Sequence, residues 1–169
     1  MSRDDHILVS LEPRHAESIL AGRKDVELRR RTMNVAPGST MWIYVKRPVG
    51  SIVGNAIVGK VASSTPTVLW RTYGAVSGLS KREFFNYFDG IKRGVALVLG
   101  ERLRFDVTLS LEALREMDQG FHPPQFFARL PATHPLRNAM TETASTSRLK
   151  KGLSTPRVSN LSGIAEPTY

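Results

Sequence analysis

The sequence contains no cysteine, which excludes disulfides, thiolate nucleophiles and cysteine-ligated zinc. No apolar run approaches the roughly 18 residues that a membrane-spanning helix needs, so a membrane span is not expected. The four histidines, His6, His15, His122 and His134, are not at metal-ligand spacing, and there is no P-loop, dinucleotide fingerprint or nucleophile elbow. Neither a cofactor nor a metal is therefore expected. Residues 1–13 place acids ahead of the first apolar run and a proline soon after it. This departs from the basic, apolar, small-residue order of a signal peptide, and a cytoplasmic location is expected.

Acid is scarce relative to base. Fifteen Asp and Glu stand against 24 Lys and Arg, a net charge of +9 with an isoelectric point near 10.4. Such a balance favours polyanionic partners, because lysines and arginines release counterions when they meet phosphate. Nucleic acid is the partner this points to. The alternative is that the excess base only keeps the protein soluble.

At 169 residues the chain is long enough for one domain with its own core. Residues 7–11 form a short apolar run ending at Glu12-Pro13, which reads as a first strand. Pro13 suits the first turn of a helix, Ala16, Ile19 and Leu20 give its apolar stripe, and Gly22 stops it. Pro37-Gly38 marks a turn before a strand over 41–45, and residues 51–62 form a longer strand. Gly54 and Gly59 inside that strand suggest bulges and a curved, barrel-like sheet. Residues 65–77 lack a clean period and could hold one helical turn. Ser80 and Glu83 have capping-box spacing ahead of a helix rich in phenylalanine. Residues 95–99 and 103–107 read as two strands joined by a short connection, and Ser110 begins a short helix. A last strand is expected over 126–130. From residue 133 onward Ser, Thr, Pro and Ala dominate without a sustained apolar period, so 133–169 is expected to be a disordered, mildly basic tail to a domain over 1–132.

The charge is concentrated at residues 19–31, ILAGRKDVELRRR. Val26 and Leu28 alternate with Glu27 and Arg29, the period of a half-buried strand, so Glu27, Arg29 and Arg31 share the face opposite the core. Arg30 falls on the other face. Lys24 precedes the strand in the connecting turn.

The ordered segments ILVSLEP, ILAGRKDVELRRR, IYVKRPVGSIVG, LSKREFFNYFDG and PPQFFARL resemble the ASCH domain of the PUA-like superfamily over about residues 7–130. The resemblance implies an α+β fold, a small β-barrel with flanking short helices, and a cleft beside the first helix and second strand. It also implies a role in recognising RNA or modified nucleotides; some bacterial relatives are described as predicted transcriptional regulators. The G-x-K-x-x-E-x-R signature of the family falls on Gly22, Lys24, Glu27 and Arg29, whereas Glu12-Pro13 stands where many relatives have Lys-Pro. One relative is an amidohydrolase acting on N4-acetylcytidine through a lysine, a threonine and a glutamate. Lys24 matches its lysine, Glu27 occupies the threonine position, and no acid lies around 74–77.

The candidate ligand-binding residues are thus Lys24, Glu27, Arg29, Tyr44 and Trp70. Lys24 and Arg29 would contact phosphate or base oxygens, Glu27 an amino group or Arg29, and a ring such as Trp70 would stack on a base. Three functional readings follow. The first is an RNA- or nucleotide-binding module, and the second a hydrolase of a modified nucleoside or RNA with Lys24 as reactive group and Glu27 as its acid/base partner. The third is a regulatory domain that binds through its basic tail.

Overall fold

A computed structural model describes residues 5–153 of the chain, in which six strands form one sheet ordered β2-β5-β4-β3-β1-β6. The strands are β1 (His6–Leu11), β2 (Val26–Arg29), β3 (Thr40–Val45), β4 (Ser51–Ser64), β5 (Gly94–Ser110) and β6 (Phe127–Arg129). β1 runs parallel to β3 and antiparallel to β6, and the other neighbours are antiparallel. Five helices accompany them: α1 (Pro13–Leu20), α2 (Pro66–Tyr73), α3 (Lys81–Tyr87), α4 (Leu111–Met117) and α5 (Pro135–Leu153). The fold is α+β, as expected, with the sheet curled into a half-barrel.

The curl has a local cause. The β4–β5 register shifts three times, between Ile52 and Gly54, Ala56 and Val58, and Val58 and Lys60. Such bulges bend a strand and increase its twist. At Gly54 a β-carbon would stand 2.2 Å from the carbonyl oxygen of Leu103, so only glycine permits this approach of the two backbones. The bend brings the two edge strands of the sheet together without pairing them. Arg29, on β2, donates from Nη1 to the carbonyl of Phe126, just ahead of β6, at 2.9 Å.

Alternation along each strand divides the apolar residues between cores. Ile7, Val9 and Leu11 of β1 join Met41, Ile43 and Val45 of β3 beneath Ala16 and Ile19 of α1. Leu8 and Trp42 face the other way, into a core with Leu114 of α4 and Leu136 and Met140 of α5. Val26 and Leu28 pack with Leu69, Phe84 and Phe88 of α2 and α3. Proline opens α1 at its first turn, Thr65 caps α2, and Ser80 with Glu83 forms the reciprocal capping box of α3.

Three expectations are corrected. Residues 95–99 and 103–107 belong to one 17-residue strand, β5, not to a hairpin. Its first half lies between β2 and β4, and the strand continues along β4 through Gly100-Glu101 with no turn. Residues 66–76 hold two turns of helix and a 3-10 turn at Gly74–Val76, started by the Thr65 cap and by Pro66. Residues 135–153 form a helix, not the start of a disordered tail; residues 154–169 lie outside the described part of the chain. The physical reason is a narrow stripe, Leu136, Met140, Ala144 and Ser147, spaced about one helical turn apart and buried against β5 and its neighbours. Ser147 also accepts the backbone N–H of Asp106 at 3.1 Å through its hydroxyl.

If α5 is part of the core, Leu136→Ala, at a fully buried side chain, lowers unfolding free energy by about 2–5 kcal/mol in urea titration. An unchanged midpoint would mean that α5 is dispensable.

Candidate functional site

The turn from α1 to β2 sets the position of Lys24. After Gly22, held at φ 75°, the chain folds back so that the backbone N–H groups of Arg23 and Lys24 both donate to the carbonyl of Ser18. Asp25 N–H donates to the carbonyl of Val76, tying this turn to the segment after α2. Lys24 is thereby carried inward and is only 2 % exposed. Its ammonium donates to the carbonyl of Ser77 at 2.5 Å. Ser77 is itself fixed, with its hydroxyl donating to Gly74 and accepting from Leu79 N–H. Gly78 follows at φ +69°, a conformation that favours glycine, and packs against the lysine stem.

Beside Lys24, Glu27 is also buried, and its Oε1 lies 3.1 Å from Arg29 Nη2. That approach is an ion pair without hydrogen-bond geometry: Nη2 and Nε of Arg29 are buried and make no hydrogen bond. The alternation argument is therefore correct in placing Glu27 and Arg29 together, away from Val26 and Leu28.

A cleft of about 480 Å³ opens between α1, β2 and α3. Arg14 and His15 of α1, Lys24 and Glu27, and Glu83, Asn86 and Tyr87 of α3 line it, with Leu28 and Leu79. Arg14 Nη2 meets Glu83 Oε1 at 2.9 Å across its mouth. The carboxyl of Glu83 is held down at about 2, first by the backbone N–H of Ser80 and then by Arg14. Burial is the main cause that lowers the Lys24 pKa; Glu27 opposes the shift, and Arg14 and Arg29 add to it. Burial, then Lys24 and Arg14, likewise lower His15, which favours neutral imidazole at neutral pH. Tyr87 donates its hydroxyl to the carbonyl of Leu28 at 2.9 Å, and burial raises its pKa. The cleft thus combines cations with two carboxylates, an imidazole, an amide, a phenol and an apolar wall.

Of the residues expected to bind ligand, Lys24 and Glu27 line the cleft and Arg29 stands behind Glu27. Tyr44 and Trp70 lie elsewhere. Tyr44 is 3 % exposed within the core beneath α4 and α5. Trp70 packs on Phe84 and Phe85, with ring centroids 5.1 and 6.1 Å apart, and closes over Gly74. Its ring is thus spent on packing α2 against α3. The sequence reading missed Arg14, His15, Glu83, Asn86 and Tyr87. A signal was present for three of them, because Glu83, Asn86 and Tyr87 recur at i, i+3 and i+4 on one face of α3. Arg30 is on the surface, donating to the carbonyl of Asp89.

A buried ammonium with a lowered pKa weakens the fold at neutral pH. The unfolded chain holds the proton more tightly, so the contribution of Lys24 to stability rises with pH towards the ordinary lysine value of 10.5. Glu27 keeps Arg29 as its counter-charge in Lys24→Met, which is therefore expected to unfold at or above the denaturant midpoint of the native chain at pH 7. The difference should narrow as pH rises towards 10; a variant less stable at every pH contradicts this.

No protein-family model matches the sequence. An ASCH domain-containing ribonuclease of Zymomonas mobilis is 34% identical over 118 residues, 70% of this chain and 79% of that protein. The crystal structure of a mutant ASCH protein from Zymomonas mobilis superposes with a TM-score of 0.77 at 29% identity, covering 85% of this chain and 99% of that one. A further crystal structure of ASCH from Zymomonas mobilis gives 0.74 at 30% identity over 86% and 96% of the two chains. With a shared curled sheet and this identity over most of both sequences, the chain belongs to the ASCH domain family.

Proposed function

We propose that the chain binds single-stranded RNA, taking one nucleotide into the cleft between α1, β2 and α3. The observation that carries this reading is Lys24, an ammonium held almost dry at the cleft wall with only one of its three donors spent, on Ser77. Arg14 adds a second cation at the mouth, and the net charge of +9 draws a polyanion to the surface. The volume of about 480 Å³ falls in the range of small-ligand sites, roughly 300–1,000 Å³. Asn86 and Glu27 offer polar groups to a base edge, and Leu79 and Leu28 an apolar wall. A splayed, unpaired base enters such a cleft, whereas a base held in a duplex does not. Arg29, behind Glu27, orients that carboxylate.

Cleavage of the bound strand is the second reading, supported by the neutral His15 beside Lys24 and by the ribonuclease named among the relatives. In this reading His15 accepts the 2′-hydroxyl proton as the 2′ oxygen bonds to phosphorus. The bond from phosphorus to the 5′ oxygen breaks, and Lys24, made more acidic by burial, donates a proton to that oxygen. A 2′,3′-cyclic phosphate and a 5′-hydroxyl result. The Lys24 ammonium also offsets charge developing on the phosphate oxygens.

Fluorescence anisotropy with a short single-stranded RNA at fixed salt tests the binding reading. Lys24→Met is expected to weaken binding at least tenfold, about 1.4 kcal/mol, and equal affinity would refute the site. Cleavage is tested by separating the products of the same RNA after incubation; it is expected to fall more than tenfold in His15→Gln with binding retained.

A further inference from the structure

Phe126 is 57% exposed, and among the described residues it is the aromatic ring in the set of large exposed hydrophobics. A single exposed apolar side chain is ordinary on a protein surface. This one differs in what holds it. Arg29 donates to its carbonyl at 2.9 Å, and the Arg31 guanidinium carbon lies 5.1 Å from its ring centroid. Pro123 and Pro124 stiffen the chain that leads to it. The next residue, Phe127, begins β6 and packs inward on the main core, so the segment is anchored on both sides. The ring is therefore set in place, at the seam where the two edges of the sheet meet, with a cation on it.

The seam adjoins the cleft. Glu27, in the cleft wall, and the Phe126 carbonyl are joined through one guanidinium, that of Arg29, whose Nη2 faces the carboxylate and whose Nη1 faces the carbonyl. A strand with one nucleotide in the cleft would thus meet the Phe126 ring with an adjoining one. Base stacking on an aromatic ring needs an accessible π-face and a nearby cation to hold the phosphate. Phe126 supplies the first and Arg31 the second.

We propose that Phe126 and Arg31 form a second nucleotide subsite, a stacking platform for an unpaired base of RNA next to the one held in the cleft. This rests on the reading of the cleft as an RNA site. The platform tolerates any base, since every base has a π-face, and any sequence preference comes from the cleft. It also predicts that a chain of two or more nucleotides binds better than a mononucleotide.

The test compares AMP with a single-stranded hexa-adenylate at one salt concentration, using native protein, Phe126→Ala, Phe126→Leu, Phe126→Trp and Lys24→Met. Phe126→Ala is expected to lose about tenfold in affinity for the hexamer and none for AMP. Phe126→Leu keeps apolar bulk without a π-face and should behave like the alanine variant. Phe126→Trp should retain affinity and have its fluorescence quenched by the hexamer. Thermal unfolding of the variants should match the native chain, because the ring is exposed. If Phe126→Ala and Phe126→Leu bind the hexamer like native protein while Lys24→Met loses both ligands, the platform is refuted and the cleft stands. If native protein binds neither ligand, both readings fall. A change in sedimentation of Phe126→Ala without a change in RNA affinity would make the ring a contact between copies of the chain, and would likewise overturn the platform.

Discussion

Everything about the site depends on a sheet that curls until its edges meet but do not pair. A closed barrel removes its edges by hydrogen bonding the last strand to the first. Here β2 and β6, of four and three residues, stand at opposite ends of the strand order. Arg29 reaches from one edge to the carbonyl just ahead of the other. A side chain thus does locally what a ladder would do along a strand, and the rest of the seam stays open. Because β2 has no strand partner on its outer side, α1 and α3 can stand beside it and leave a cleft between them. The bulges opposite Gly54 on the far side of the sheet belong to the same cause, since without them the edges would not approach.

The electrostatics of the cleft follow from that geometry. Lys24 is buried because the turn after α1 is tied both to Ser18 and to Val76, and burial of a charge is costly unless the charge is paired and hydrogen-bonded. The Ser77 carbonyl and the neighbouring Glu27 meet part of that cost. Glu27 in turn lies between Lys24 and Arg29, so one carboxylate faces two cations. Glu83, the other acid of the cleft, is engaged by Ser80 and Arg14. The acids are thus committed within the protein, whereas the Lys24 ammonium makes one hydrogen bond, to Ser77. An anionic ligand suits such an arrangement better than a cationic one. Since few carboxylates need displacing, a phosphate gains from the cations without competing strongly against internal pairs.

Much of the fold was legible because local rules and tertiary packing agree. The proline at the first turn of α1, the capping box of α3, and the alternation that separates Val26 and Leu28 from Glu27 and Arg29 all hold. The misreadings share another origin. Gly100-Glu101 looks like a turn, yet strand partners on β4 carry β5 through it. The apolar stripe of α5 is narrow and uses Ala144 and Ser147, so its composition resembles a solvated tail until β5 offers a surface for it. Lys24 and Glu27, which the family signature singles out, both line the cleft. His15 and Arg14 were not legible, because no local pattern says that α1 faces α3 across a cleft. Trp70 lies in an aperiodic stretch that gives no face to its ring, and only the tertiary fold sets that ring against Phe84 and Phe85.

The glutamate at position 27 has a structural consequence. A neutral side chain there would leave Lys24 and Arg29 without a carboxylate beside them. Glu27 provides one, and so permits two cations to lie side by side in a nearly dry wall. The same carboxylate reaches Lys24 on one side and, through Arg29, the backbone at Phe126 on the other. Glu27 is therefore better understood as the counter-charge that joins the cleft to the seam than as an isolated acid/base group. Replacing it would disturb the placement of Lys24 and the closure of the sheet together.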